Sequence, residues 1–280
     1  MEQLGFDGMP TRLVTATPSK LGTFEDCPRR FRMVYVDRPA PPKGPPWAHT
    51  SLGSAVHNAL RSWWALARPR RTPEAARTLL HGSWISEGFR DDRQQAEVRE
   101  RATGWVESYL REVDPDAEPV GVERTVATKT GTLAFSGRID RLDDRDGELV
   151  VVDYKTGRSP LSTDDARGSA ALALYAVATA RTLRRPCRRV ELHHLPTGAV
   201  YGYEHSEESL ARHVRRAEDT AADIVRAGDA VQGGADPDAA YPARTGTHCS
   251  WCDFRRHCPE GRAAAPEKEP WAAVIPREGT

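Results

Sequence analysis

The stretch GRIDRLDDRDGELVVVDYKTG, residues 137–157, decides the fold. Its apolar residues recur with period two, the signature of strands. Side chains at i and i+2 of a strand share a face, so Asp153 and Lys155 emerge together while Val150, Val152 and Tyr154 cover the other side. Asp140 closes the preceding strand, and the turn-rich segment 143–147 is short enough to set the two aspartates side by side. Neighbouring carboxylates repel, and one takes up a proton unless a cation lies between them. A hard divalent ion, Mg²⁺ or Mn²⁺, resolves that conflict. The ion can activate water and offset developing negative charge, with Lys155 orienting the nucleophile or sharing that charge. The same spacing also fits edge-of-sheet ion pairs, Asp140 with Arg141 and Asp153 with Lys155.

Working outward, VGVERTVAT and TLAFSGRIDRLD precede the ELVVVDYKT strand, and RRVELHHL and AVYGYE follow it, joined by a PTG turn. Upstream the period is helical. Thr17-Pro18 reads as an N-cap with proline at the first helical position, and Pro28 should restart the helix after Cys27. RPAPPKGPPW (38–47) is a loop, and LGSAVHNALRSWWALA (52–67) a helix. Helical patterns through about 70–115 read as an insertion. A helix follows over 164–183, and a capped amphipathic one over 206–228. The expectation is an α/β fold, a mixed sheet flanked by helices, as one domain over 15–262. Residues 1–14 form a tail, and 263–280 a disordered end.

Three of the five cysteines form C-x₂-C-x₅-C at Cys249, Cys252 and Cys258; Cys27 sits near the other end of the chain. Clustered thiols outside an oxidising compartment favour metal over disulfides. Zinc, with His248 or His257 completing a Cys₃His site, and iron–sulfur both fit. Cys187, in RRPCRR, is left over, and its basic neighbours should lower its pKa.

The chain has 280 residues, 39% hydrophobic and 29% charged, with 40 basic and 40 acidic residues. Zero net charge gives no support to a polyanionic partner on average, although a local basic face suffices for one. Five lysines leave 35 arginines among the basic residues, a bias towards bidentate phosphate and carboxylate recognition. Arg184, Arg185, Arg188 and Arg189 form one such basic cluster and FRRH (254–257) another. No 18-residue apolar run and no secretory pattern occur, so no membrane is expected and the location should be cytoplasmic. No G-x-x-x-x-G-K-[ST] loop occurs either, so any strand separation would fall to a helicase or repair partner.

GRIDRLD followed by VVDYKTG resembles the paired motifs of the PD-(D/E)xK nuclease superfamily, specifically its RecB-like exonuclease branch. The resemblance runs from about 15 to 260, the insertion being its least recognisable part. It implies a restriction-endonuclease-like core in which Asp140 and Asp153 hold Mg²⁺ or Mn²⁺ and Lys155 serves catalysis. GSAVH matches the branch's G-x-x-x-H helix, making His57 a further metal ligand beside Gly53. ALALY matches its Q-x-x-x-Y helix through Tyr175, but Ala171 stands where the glutamine belongs. Glu123 fits a recurring acid of the family, and taken alone reads as structural. SKLGTFEDCPRRFRMVY resembles the opening of members with a [4Fe–4S] staple, which implies Cys27, Cys249, Cys252 and Cys258 as its ligands and an iron–sulfur cap. The implied activity is cleavage of single-stranded DNA or DNA ends in repair or recombination. Alternatives are a CRISPR spacer-acquisition nuclease, an inactive DNA-binding relative, and a zinc-stabilised interaction subunit.

Overall fold

The apolar run of 149–152 is buried on both sides, which fixes the layering. In the computed structural model, which describes residues 13–275, β4 (Glu148–Lys155) lies inside a six-stranded sheet. Leu149 and Val151 pack with helices on one face, and Val150, Val152 and Tyr154 with a second set on the other. Each is at most 3% exposed, and burying each such side chain is worth about 1.5–3 kcal/mol.

The chain enters through β1 (Val14–Ala16), α1 (Pro18–Asp26) and α2 (Pro28–Tyr35). Thr17 caps α1 by accepting from the Lys20 amide, and Cys27 is the extended residue at which α1 ends and Pro28 starts α2. Then come α3 (Ala48–Trp64), α4 (Pro73–Gly82) and α5 (Asp92–Arg111), which bury Trp63 and Trp64 and cover the Tyr154 face. β2 (Gly121–Lys129) and β3 (Leu133–Arg145) form a long antiparallel ladder. The other edge of β3 is shared: β1 pairs with its start in parallel, and β4 antiparallel with its end over 141–145. After β4 come α6 (Thr163–Gly168) and α7 (Ala170–Leu183), then β5 (Arg189–His194), parallel to β4, and β6 (Ala199–Glu204), antiparallel to β5. The helix α8 (Glu207–Gln232) packs with α7 on the face of Leu149 and Val151, and two short helices, α9 (Pro237–Ala240) and α10 (Pro259–Ala264), bracket the cysteine segment.

Three expectations need correction. The helix read over 164–183 is two helices, because Ser169 is extended and caps α7 by accepting from the Leu172 amide. The end read as disordered from 263 is packed through 275: Val274 is 2% exposed against the α3–α5 core, and the Ala48 amide donates to the Pro270 carbonyl. Of the predicted tail, residues 1–12 lie outside the described residues, while Val14 already belongs to β1. Among the described residues no helix is long and apolar enough to cross a membrane.

Candidate active site and cysteine cap

The ladder between β3 and β4 stops at Arg141–Val152, one step short of Asp140 and Asp153. The strands part there, and side chains take over the backbone's partners. The Tyr154 amide donates to Asp140 Oδ2 at 2.8 Å, and the Tyr154 carbonyl faces His57 Nε2, from α3, at 3.1 Å. A carbonyl only accepts, so Nε2 carries the proton and Nδ1 points to Asp140 Oδ1, 3.3 Å away. A nitrogen and a carboxylate oxygen so placed share either a proton or a cation. Burial opposes protonation of His57, yet Asp140, Asp153 and Glu123 outweigh it and raise its pKa above 6.5. One tyrosine backbone thus positions both of these side chains, while its hydroxyl accepts from Trp64 Nε1 at 3.3 Å and faces the buried Arg141 guanidinium at 3.4 Å.

Asp153 stands beside this group. Its buried Oδ2 is paired with Lys155 Nζ at 2.6 Å. Burial raises its carboxyl above the ordinary 3.8; Lys155 opposes that, and Asp140 adds to it. The loop after Lys155 is fixed from β5: His194 Nε2 donates to the Gly157 carbonyl at 2.7 Å and the Leu195 amide to the Lys155 carbonyl at 3.0 Å.

Glu123 is the residue that sequence reading set aside as structural. It occupies the β2 position opposite Asp140, and its backbone is left-handed (φ 49°), so the ladder skips that one pair between Val122–Arg141 and Arg124–Ile139. A non-glycine residue held there costs of order 1–3 kcal/mol, and such strain concentrates at functional sites. Among the described residues, His57, Glu123 and Asp140 form the one group of three or more potential ligands whose donor atoms all lie within 4.8 Å of one another. An imidazole nitrogen with carboxylate oxygens suits Mn²⁺ or Mg²⁺, and the Asp153 carboxylate, paired with Lys155, stands beside them. Glu123→Gln should leave the melting temperature within about 2 °C yet raise the half-saturating Mn²⁺ concentration about 10- to 100-fold, measured by metal titration.

Tyr175, on α7, lies against the same strand. A Cβ on Gly137 would sit 2.1 Å from its ring, so only glycine fits before Arg138-Ile139-Asp140. Burial raises the Tyr175 pKa, and Asp153 and Asp140 add to it, which places its hydroxyl in their field. Gly137→Ala should displace the ring and destabilise the fold by about 1–3 kcal/mol, read from denaturant unfolding. Ala171, one turn earlier on α7, offers no polar group.

The arginine cluster lies elsewhere. Arg189 pairs with Val150, at the opposite end of β4 from Asp153 and Lys155. Arg185 is bound to Asp144, Arg188 to Glu148 and Glu204, and Arg189 to Glu191, while Arg184 ends α7 in a left-handed turn. Cys187 also departs from expectation: it is 1% exposed, and burial, with Glu148 second, pushes its thiol up to about 12.

The four remaining cysteines meet in one pocket, with Arg29, Arg30 and Gly261 among its walls. Arg29 ties the two chain ends together, donating to the Tyr241 and Asp238 carbonyls and pairing with the Asp238 carboxylate at 3.1 Å. Beneath it Phe31 stacks on Tyr241, and Phe24 meets both rings edge-on. The Gly261 amide donates to Cys258 Sγ at 3.3 Å, and a Cβ there would press on the sulfurs of Cys258 and Cys249 at 3.3 and 3.7 Å. No three of the cysteine sulfurs all lie within 4.8 Å of one another. Tetrahedral zinc, at about 2.3 Å per bond, needs its sulfurs about 3.8 Å apart. The spacing, and the buried Arg30 Nε that finds no acceptor, fit a larger anionic group.

No curated protein matches the chain by sequence. Among solved structures, a candidate exonuclease from Eubacterium rectale is similar at 12% identity and a TM-score of 0.45, over 92% of this chain and 94% of that one. A protein designated SSO0001 is similar at 21% identity and a TM-score of 0.33, over 60% of this chain and 80% of that one. Both likenesses are too distant to assign an activity. The family model of the PD-(D/E)XK nuclease superfamily matches residues 15–259, a span that holds the parted β3–β4 edge, the α3 histidine, Tyr175 and all four cap cysteines. With that coverage and that site, the chain belongs to the PD-(D/E)XK nuclease superfamily.

Proposed function

We propose that the chain is a Mg²⁺- or Mn²⁺-dependent DNA nuclease of the RecB-like branch, an exonuclease acting on single strands or ends in repair or recombination. The observation that carries this is the convergence of His57, Glu123 and Asp140 where β3 and β4 part, beside the Asp153–Lys155 pair. A divalent ion bound there supplies an activated water and neutralises charge on the phosphate. His57, Asp140 and Asp153 hold it, joined by Glu123. Lys155, paired with Asp153 and 45% exposed, can turn to a phosphate oxygen, and the Tyr154 backbone keeps His57 and Asp140 in register. Cys27, Cys249, Cys252 and Cys258 carry a [4Fe–4S] cluster that clamps the chain ends. The enzyme's single strands come from a helicase or repair partner, or from frayed ends.

One observation favours a second reading. Ala171 removes the polar group expected one turn before Tyr175, as in a relative that binds DNA without cutting it. Labelled single-stranded and blunt duplex DNA, incubated with Mn²⁺, decides between them. Cleavage by the wild type that is lost in Asp153→Ala or with a chelator supports the nuclease; equal, negligible cleavage by both proteins overturns it.

A further inference from the structure

We propose that the cysteine cap presents an aromatic platform, made of Trp47, His49 and Trp251, on which one unpaired base of a single strand stacks a few nucleotides from the cleaved bond. This deepens the nuclease reading and rests on it.

The three rings form one cluster. Trp47 and Trp251 have centroids 5.4 Å apart at 62°, His49 and Trp251 5.8 Å apart at 86°, and Trp47 and His49 6.0 Å apart at 38°. Trp63 and Trp64 are consumed by the core, whereas Trp47 and Trp251 keep part of their surface in solvent and His49 is exposed. Trp47 is held rigidly, its indole N–H donating to Asp253 Oδ1 at 2.7 Å. A preorganised ring loses little freedom on binding, which is the property a stacking surface needs.

Position links this cluster to the candidate active site. His49, Gly53 and His57 recur every four residues along one stripe of α3, and the middle one faces the strand end that follows Lys155: a Cβ on Gly53 would lie 3.4 Å from Thr156 Oγ1. Eight residues of helix span about 12 Å, or three to four stacked bases at about 3.4 Å each. Trp251 comes from between Cys249 and Cys252, so the cap that binds the cluster also aims this ring. Beside Trp47, a cavity of about 360 Å³ is lined by Arg255, Arg256 and Lys268, and equally by Asp253, Glu267 and Glu269. That balance does not select a phosphate. It suits a base, whose stacking is indifferent to charge, while exposed Arg256, which makes no hydrogen bond or ion pair among the described residues, is available to the backbone alongside. Duplex bases have no free face to offer, so the occupant is a single strand.

The test uses the whole protein with its cluster, in an Asp153→Asn background that binds without cutting. A fluorescent oligo(dT) carries a single abasic residue that is moved stepwise along the strand from one end. Affinity should fall about tenfold when the gap reaches one position and recover on either side of it. Trp251→Ala should abolish that position dependence, and Trp251→Phe should restore it. Blunt duplex binding should be the same in all three proteins. A uniform response to the abasic residue in the Asp153→Asn protein overturns the platform, and that arm needs no change in the cap. If Trp251→Ala keeps the position dependence, the platform is wrong whether or not the wild type cleaves. If the position dependence is present but the wild type cleaves nothing, the platform stands and the nuclease reading falls.

Discussion

Asp153→Asn protein is expected to lose cleavage by about a thousandfold or more while melting at a higher temperature than the wild type in chelator. The first half follows from role: removing one member of an interdependent set collapses most of the rate. The second follows from burial. The Asp153 carboxyl is raised above 3.8 chiefly by desolvation, and Asp140 adds to that against the relief from Lys155. A carboxyl whose folded pKa exceeds its unfolded one stabilises the fold fully only below the unfolded value and loses that contribution as pH rises through the folded one. Once pH has passed that range the folded chain carries this charge at a cost, which asparagine removes. Lys155 is exposed enough to be solvated when left alone. Melting at pH 7 in chelator, with cleavage assayed in Mn²⁺, separates the cases. A protein that loses stability and keeps activity would show Asp153 to be structural.

Cys27→Ser, or Cys258→Ser, is expected to lose iron and to melt at least about 10 °C lower than the wild type. Cys27 sits at the junction of α1 and α2, while Cys249, Cys252 and Cys258 lie beyond α8 and line the same pocket, so one group bound there would join these two parts of the chain. Arg29 and the Phe24–Phe31–Tyr241 stack make the same connection by packing, which is why the variants should retain a folded sheet rather than unfold outright. Anaerobic purification followed by metal and sulfide analysis checks the chemistry. Brown protein with about four irons and four sulfides per chain is expected. Colourless protein with one zinc would overturn the cluster and leave the nuclease site untouched.

Local alternation was enough to read the central strand, both of its faces and the Asp153–Lys155 pair, because period two is a property of the strand alone. The Thr17 cap, the break at Cys27–Pro28 and the β5–β6 hairpin were legible for the same reason. What escaped depended on partners distant in sequence. Glu123 joins the site only through the β2–β3 register and a left-handed backbone that no period reveals. β1 is three residues long, too short for any pattern. The 263–275 segment has no periodicity and is fixed by Trp271, Val274 and backbone bonds to Ala48 of α3 and to Ser250. The arginines of 184–189 look free in sequence, yet three of them meet carboxylates brought by β3, β4, β5 and β6. Cys187 shows burial prevailing over neighbouring charge.

All of this turns on one coordination event at the place where β3 and β4 separate. Crystals soaked in Mn²⁺ and measured at the manganese absorption edge test it most directly. The expected result is an anomalous peak within about 2.0–2.3 Å of His57 Nδ1 and of oxygens from Asp140 and Asp153. A well-occupied peak elsewhere, or none at concentrations that support cleavage, would contradict it.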